Sequence, residues 1–328
     1  MRALIRTRPS KELKLDLTQP EPASEDHPNR YEGRNYIIQT KAVALCRGEL
    51  DWPEPLEAPG GISIPGFDVA GVVLSCPGDT SRIAFQPGDE VYALTNPHLQ
   101  GNARQVTIAE EHELALKPKN LTWPEAAAVP LSALTAFQGL FVHGNLHAPG
   151  RGDNKGQRVL VTAASGGVGI WAVQMARQAG AHVVGTCGTT NVDFVNDLGA
   201  DVVLDYTKTE VLDWVKEDQS HREFDLVLDC IGGATLTKAW RCAKKNGKVI
   251  SVAEPADPKR PREGVAEGVT SVWFIVDANQ TQLREITNMI EKGLYKSQVD
   301  SVFPLDQWRE AFLRLEGGHA KGKVVLEL

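Results

Sequence analysis

Residues 158–187, RVLVTAASGGVGIWAVQMARQAGAHVVGTC, decide the fold of this 328-residue chain. The run VLVT at 159–162 is apolar, β-branched and too short for a helix, so it predicts a buried strand. A glycine-rich turn follows at 166–169, and a helical pattern then continues to Gly180, a residue type that is common just after a helix. A second apolar run at 182–185 completes a strand–helix–strand unit.

This setting gives the glycines a chemical meaning. Glycines between a strand and a helix let the backbone approach a pyrophosphate, and the helix N-terminus favours its negative charge. The sequence therefore predicts a dinucleotide site, although a doubly wound domain that uses glycine only for turns is the alternative. The pattern departs from G-x-G-x-x-G at its first position, where alanine stands. The residues expected at the turn are Ala164, Ser165, Gly166, Gly167, Val168 and Gly169.

Length and composition limit the class of protein. A chain of 328 residues predicts two domains, and a net charge of −7 gives a nucleic-acid partner no electrostatic support. No stretch reaches the ~18 apolar residues of a membrane span, and the first ten residues lack the apolar core of a signal peptide. Five scattered cysteines without a C-x-x-C pair favour a reducing cytoplasm, with neither disulfides nor a structural metal site.

The rest of the chain divides into two kinds of segment. Short strands separated by turns up to about residue 117 predict a small β domain, with a surface loop at 20–34 and an irregular segment at 53–61. From about residue 131 to 276, strands alternate with helices, which predicts a parallel, doubly wound sheet and an α/β fold. The expected domains are 1–126, rejoined by 277–328, and 127–276.

The order of motifs resembles the medium-chain dehydrogenase/reductase superfamily, and specifically its zinc-free quinone oxidoreductase branch. The resemblance implies a GroES-like β domain that the C-terminal tail rejoins, a Rossmann domain between them, an active site in the cleft and often a homodimer through Rossmann edge strands. It covers nearly the whole chain through PGFDVAG at 65–71, PGDEV at 87–91, LTA at 134–136, ASGGVG at 164–169, LGAD at 198–201 and GHAKGKVVL at 318–326.

The same resemblance raises the question of zinc. Zinc alcohol dehydrogenases of the superfamily bind the metal through a Cys, a His and a further Cys. Cys46 matches the first position, whereas Phe67 and Leu131 stand at or near the other two. Since a catalytic zinc ion needs three protein ligands, we expect no zinc. Cys46, Phe67 and Leu131 are expected to line the substrate pocket instead.

The residues after the second strand of the unit bear on the choice of nicotinamide cofactor. Residues 186–191 contain no acid that would bind ribose hydroxyls, which permits NADPH, although no basic residue follows the strand either. The resemblance assigns contact with the 2′-phosphate to Tyr206, with an ordinary strand-end aromatic as the alternative, so NADPH is expected over NADH. The resemblance also implies that Thr135 faces the nicotinamide or its ribose, that Ile231 lines the adenosine side, and that Lys323 lies near the phosphates, with solvated surface as the alternative for Lys323. Phe274 and Val276 are expected near the carboxamide, with sheet core as the alternative. The remaining expected cofactor neighbours are Thr186 and Cys187.

These expectations lead to a reaction. In a site without metal ligands, hydride delivery to an electron-poor carbon needs only hydrogen-bond donors for the developing oxyanion. We therefore expect an NADPH-dependent, zinc-independent reductase of enones or quinones. The alternatives are an enoyl reductase for a natural-product or carrier-bound intermediate, and an NADPH-binding structural or regulatory protein with little turnover. Tyr92 and Glu49 are the candidate catalytic residues, with structural roles for both and protonation by solvent as alternatives.

Overall fold

The predicted surface loop at 20–34 and the predicted irregular segment at 53–61 lie mostly outside the residues that the structure describes. The structure is a computed structural model, and it describes residues 1–7, 12–22, 34–52, 61–76 and 83–328.

The first part of the chain forms mostly antiparallel sheet, as the short strands predict. Strands β1 and β2 pair antiparallel, and β3 pairs with β5 on one side and with β7 on the other. Two short helices follow, and the second runs on into a wider π-helical turn at 138–143. The elements are β1 (Ala3–Thr7), β2 (Leu13–Asp16), β3 (Asn35–Leu45), β4 (Ile62–Ser63), β5 (Asp68–Ser75), β6 (Glu90–Leu94), β7 (Val106–Glu110), β8 (Leu114–Leu116), α1 (Trp123–Ala127) and α2 (Pro130–Phe137).

The middle of the chain forms a six-stranded parallel sheet with the order β11-β10-β9-β12-β13-β14. Numbered within the sheet, this is the order 3-2-1-4-5-6 of dinucleotide-binding folds, in which ligands bind at the carboxyl ends of the strands. The elements are β9 (Arg158–Val161), α3 (Gly167–Gln178), β10 (His182–Cys187), α4 (Val192–Asp197), β11 (Val202–Asp205), α5 (Val211–Glu217), α6 (Gln219–Arg222), β12 (Phe224–Asp229), α7 (Gly233–Ala239), β13 (Ala243–Ser251) and β14 (Thr270–Trp273).

The end of the chain returns to the antiparallel sheets. The last strand pairs with β3 on one side and with the strand before it on the other, a strand that the sequence did not predict. The elements are α8 (Gln280–Glu291), β15 (Val299–Pro304), α9 (Trp308–Glu316) and β16 (Lys323–Glu327).

The chain forms two compact units. The first unit comprises Met1–Leu134 and Asp277–Leu328, and the second comprises Thr135–Val276. The predicted boundary at 126/127 lies earlier in the chain than the observed one. The difference arises because α1 packs on β3, β5 and β16, so the residues after 126 stay with the first unit.

One helical run is apolar enough to resemble a membrane span. Residues Trp123–His143 have a mean hydropathy of 1.3 in the relevant window, and 83% of that window is buried inside the fold. Such burial is typical of the core helix of a globular protein.

Candidate functional site

The glycine turn joins β9 to α3 and leaves backbone amides free. The first amides of any α-helix have no partner within the helix, and the helix dipole makes this end electropositive. Ala164 is fully buried, and its amide donates to Thr186 O at 2.8 Å, which fixes the turn against β10. A Cβ added at Gly169 would overlap Ala163 O and lie 2.7 Å from Ala164 Cα. Gly169 therefore lets the start of α3 pack closely against the end of β9, which is the role of the last glycine in a dinucleotide-binding turn.

The carboxyl ends of β10 and β11 form one side of this turn. Tyr206 is 52% exposed, and its amide donates to Cys187 O at 3.1 Å, so its ring lies beside the loop after β10. The Asn191 side-chain amide donates to Ser165 Oγ at 3.2 Å and links that loop to the turn. Thr186 is buried, and so is the Cys187 thiol, whose pKa burial raises to about 11. Cys187 is 1% exposed, and its predicted contact with the cofactor stays a prediction.

The carboxyl ends of β12 and β13 form the other side. Ile231 is 48% exposed in the loop after β12, where it was expected to line the adenosine side. Sequence reasoning missed the buried Asp229 next to it. The Asp229 carboxylate accepts from the Thr162 hydroxyl at 3.0 Å and from the Gly232 amide at 2.8 Å, and it thereby fixes this loop. A carboxylate that ends a buried strand is the signal that could have revealed it.

Three more predicted cofactor neighbours lie in the second unit. Phe274 and Val276 follow β14 and are half-buried, and the Phe274 ring lies 4.4 Å from the His143 ring, centroid to centroid. Thr135 lies on α2 and is 5% exposed. For these three residues the contact with a cofactor stays a prediction.

The first unit contains a buried cluster of charged and polar side chains. Lys323 Nζ lies 3.1 Å from Asp68 Oδ2, and both side chains are almost fully buried. Asp68 Oδ1 accepts from the Leu131 amide at 2.6 Å, near the start of α2. Glu49 Oε2 accepts from the Cys46 amide at 3.1 Å. The cluster therefore ties β3, β5, β16 and α2 together around one ammonium ion.

Burial sets the protonation of this cluster. Burial raises the pKa of Glu49 to about 8 and that of the Cys46 thiol to about 11, so both groups hold their protons at neutral pH. Burial alone would lower the pKa of Lys323, but the charge of Asp68, with smaller effects from Cys46 and Glu49, raises it, and the amine stays charged. Among the described residues, Glu49 Oε1 makes no hydrogen bond within 3.5 Å, while the backbone amides of Cys46 and Gly66 partly offset the rise in the pKa of Glu49.

Two predicted site residues have partners in the core of the first unit. Lys323, expected near the cofactor phosphates, is 4% exposed and pairs with Asp68, and its contact with a cofactor stays a prediction. Tyr92, a candidate catalytic residue, is fully buried, and its hydroxyl lies 2.7 Å from Thr287 Oγ1 and 3.3 Å from Leu283 O. Both side chains are held by partners within the core, which local sequence pattern does not reveal.

The residues at the positions of a zinc site do not fit a zinc ion. Cys46 is partly buried, while Phe67 and Leu131 are buried and offer no ligand atom, and Phe67 stacks on Trp52 with ring centroids 5.7 Å apart. Within the described ranges there is no group of three or more His, Cys, Asp or Glu side chains that could hold a metal. The ammonium of Lys323 supplies the positive charge beside Cys46 instead.

Known proteins are similar in sequence to this chain over most of its length. The family model described as "Zinc-binding dehydrogenase" matches residues 198–326. The protein named "Probable zinc-binding oxidoreductase, mitochondrial" of Arthroderma benhamiae is 44% identical over 95% of this chain and 92% of its own length. The "NAD(P)H oxidoreductase RTN4IP1, mitochondrial" of Mus musculus is 35% identical over 80% of this chain and 70% of its own. The "Quinone-oxidoreductase homolog, chloroplastic" of Spinacia oleracea is 30% identical over 95% of this chain and 93% of its own length.

The chain belongs to the medium-chain dehydrogenase/reductase superfamily, in its quinone oxidoreductase-like branch. It is an oxidoreductase that uses a nicotinamide cofactor. The quinone oxidoreductase of Coxiella burnetii has the same fold, with a TM-score of 0.81 and 22% identity over 100% of this chain and 99% of its own. An NAD-dependent alcohol dehydrogenase also has this fold, with a TM-score of 0.83 and 26% sequence identity over 100% of both chains. The predicted family and the α/β fold with GroES-like and Rossmann domains are confirmed.

The close approach at the turn of this oxidoreductase gives a first prediction. Gly169→Ala should abolish tight binding of the nicotinamide nucleotide and lower stability by about 1–3 kcal/mol, because the methyl group overlaps backbone atoms. Binding is measured by calorimetry and stability by thermal unfolding. Gly180→Ala, at the other end of α3, meets no atom within 4 Å but strains the backbone at a φ of 85°, so it should lower stability and leave nucleotide binding unchanged. Equal binding by the Gly169 variant and the wild type would contradict the assignment.

The buried carboxyl of Glu49 gives a second prediction, on the pH dependence of stability. Its pKa is about 8 in the folded protein and 4.5 in a free chain, so between these values the folded state holds a proton that the unfolded chain has lost. Stability is therefore lost as pH rises through this window, by about 1.4 kcal/mol per pH unit for such a group. Glu49→Gln removes this loss.

The measurement is urea unfolding of wild type and variant at about pH 5 and about pH 8. The free energy of unfolding of the wild type, relative to that of Glu49→Gln, should decrease with rising pH. The contributions of the other titrating groups cancel in this difference between the two proteins. A difference that is constant with pH would show that Glu49 does not titrate in this window.

Proposed function

We propose that the protein is an NADPH-dependent, zinc-independent reductase that transfers a hydride to the activated C=C bond of an enone or to a quinone. The buried cluster of the first unit carries the proposal, because two apolar side chains, Phe67 and Leu131, stand where metal ligands would be needed, and the ammonium of Lys323 lies in the same cluster as Cys46. The names of the quinone oxidoreductase homologues support the choice of acceptor. The name of the Arthroderma benhamiae relative includes zinc binding, and that description is of the relative and not of this chain.

The residues of the second unit have roles in binding the cofactor. When bound, the nicotinamide supplies the hydride. The amides at the start of α3 would bind the pyrophosphate, and Tyr206, at the edge of β10 and β11, would contact the 2′-phosphate. Ile231 would line the adenosine side, while Thr135 and Phe274 would orient the nicotinamide end.

The residues of the first unit handle the substrate. Phe67 and Leu131 present apolar surface to the acceptor and exclude water, which strengthens each hydrogen bond inside the site. The Glu49 carboxyl holds a proton at neutral pH and has an oxygen without a partner among the described residues. It is the proposed proton source for the reduced carbon or oxygen, and solvent is the alternative source.

A substrate screen tests this function. Purified protein should oxidise NADPH in the presence of enones or quinones, with kcat/KM for NADPH about tenfold or more above that for NADH, which corresponds to about 1.4 kcal/mol. Simple aldehydes should be poor acceptors, since no Lewis acid polarises the carbonyl. The readout is loss of nicotinamide absorbance.

Controls separate the alternatives in this screen. Protein produced with added zinc should carry less than one zinc ion per ten chains, and a chelator should not lower its activity. Stoichiometric zinc with chelator-sensitive turnover would overturn zinc independence, and preference for NADH would overturn the cofactor assignment. Binding of NADPH without turnover on any acceptor would favour a structural or regulatory protein.

The edge of the six-stranded sheet suggests a partner, and we propose that it is a second copy of the chain. Strand β14 is the edge strand, so one side of its backbone has no neighbouring strand within the described sheet. Trp273 is 44% exposed and Ile275 is 64% exposed at this edge. Unpaired strand edges with apolar side chains favour pairing with another chain.

A cytoplasmic location, based on cysteine usage, is a separate proposal.

Light scattering after size exclusion tests the homodimer. The wild type should have twice the 35.7 kDa mass of the chain, and Trp273→Lys should shift the protein towards the monomer. Leu313→Lys is the matched control, since Leu313 is 75% exposed on α9 in the first unit. A monomeric wild type, or the same shift in both variants, would contradict pairing through β14.

A further inference from the structure

A cluster at the ends of β10 and β11 brings together residues that are distant in the sequence. Asp205 ends β11 and lies beside Cys187, the last residue of β10. The Asp205 carboxylate is 9% exposed. It accepts hydrogen bonds from two threonine hydroxyls, one in the loop after β10 and one in the loop after β11. Thr189 Oγ1 donates to Oδ2 at 2.6 Å, and Thr207 Oγ1 donates to Oδ1 at 2.7 Å.

A lysine completes this cluster. Lys208 Nζ lies 3.2 Å from Asp205 Oδ2, the same oxygen that Thr189 contacts, and the lysine side chain is 67% exposed. The ammonium therefore lies next to the loop after β10. The sequence shows no basic residue in that loop, and the structure brings one there from the loop after the neighbouring strand.

The hydrogen bonds of Asp205 leave little capacity for a ribose. An acid that binds NADH accepts hydrogen bonds from the ribose hydroxyls. In Asp205, Oδ1 accepts from both the amide and the hydroxyl of Thr207. Oδ2 accepts from the Thr189 hydroxyl and pairs with the Lys208 ammonium. The hydrogen bond from Thr189, then those from Thr207, lower the pKa of Asp205, so it stays ionised and keeps these donors in place.

The Lys208 ammonium, by contrast, has N–H groups that do not face Asp205. A lysine ammonium carries three N–H groups, and one of them faces Asp205. The proposed 2′-phosphate neighbour, Tyr206, lies between the two loops, with its hydroxyl 3.4 Å from the position of a Cβ added at Gly188. A phosphate monoester carries up to two negative charges at neutral pH and is a strong acceptor.

We infer that Lys208 is the residue that selects the 2′-phosphate of the cofactor, and that Asp205 positions its ammonium beside the loop after β10. This inference rests on the proposed NADPH function and names the cation that the sequence of that loop lacks. Asp205 acts through Lys208 and Thr189 and does not itself contact the ligand.

Calorimetry with two fragments of the cofactor tests the inference without turnover. Adenosine 2′,5′-bisphosphate carries the 2′-phosphate, and adenosine 5′-diphosphate lacks it. Lys208→Met should weaken binding of the first about tenfold and change binding of the second by less than about twofold. Lys208→Arg should retain most of the preference, and added salt should shrink the difference between Lys208→Met and wild type, because the contact is exposed.

A second lysine provides a matched control. Lys216 Nζ lies 3.1 Å from Asp213 Oδ1, with the same spacing in sequence and 62% exposure, but it lies on α5. Lys216→Met should bind both fragments as the wild type does. Equal weakening of both fragments by Lys208→Met, or the same loss in Lys216→Met, would overturn the inference.

The outcome for the wild type separates this inference from the proposed function. Wild-type protein that binds the 2′-phosphorylated fragment no better than the other contradicts the proposed NADPH preference and the inference with it. Wild-type preference that persists in Lys208→Met contradicts only the inference. The ratio of kcat/KM for NADPH and NADH should fall in parallel with the binding ratio.

Discussion

A buried ion pair between Lys323 and Asp68 holds the first unit together. Each partner is almost fully removed from water, and removal of one member of such a pair costs about 3–5 kcal/mol because the other charge is left buried alone. Lys323 begins the last strand, so the pair fixes the end of the chain to β5. Asp68 also accepts from the amide of Leu131, which fixes the start of α2. The positions of Cys46, Phe67 and Leu131, the predicted lining of the substrate pocket, therefore depend on this buried ion pair.

The second unit depends on a different constraint, the absence of a side chain at Gly169. The helix can begin directly after β9 only if its backbone passes against Ala163 and Ala164. This constraint is local, and it was predictable from the sequence because strand, turn and helix follow one another within about 20 residues. The same holds for the parallel sheet, whose apolar runs and intervening helices give a clear periodicity. The strand order β11-β10-β9-β12-β13-β14 follows from the family resemblance rather than from any one run.

Contacts between distant residues were the part that the sequence could not supply. Lys323 was expected to contact phosphate, yet its partner lies 255 positions earlier in the chain. Tyr92 was a candidate proton donor, yet its hydroxyl contacts Thr287 on α8. Neither core partner could be predicted, because a polar side chain in a family motif does not indicate which distant residue it contacts. The roles of Lys323 and Tyr92 at the site stay predictions. Strand β15 was missed for a related reason, since half-buried residues along VDSVFP give no clear alternation.

Carboxylates that end parallel strands have one physical role in this fold. Asp229 ends β12 and Asp205 ends β11, and each accepts from a hydroxyl and an amide of the loops around it. Because a buried carboxylate must be hydrogen-bonded, each one draws neighbouring loop donors towards itself and fixes the loop shape. An acid used in this way has little acceptor capacity left for a ribose. The charge that meets a ligand at such an edge must then come from a longer side chain that reaches past the acid into solvent, as Lys208 does beside Asp205.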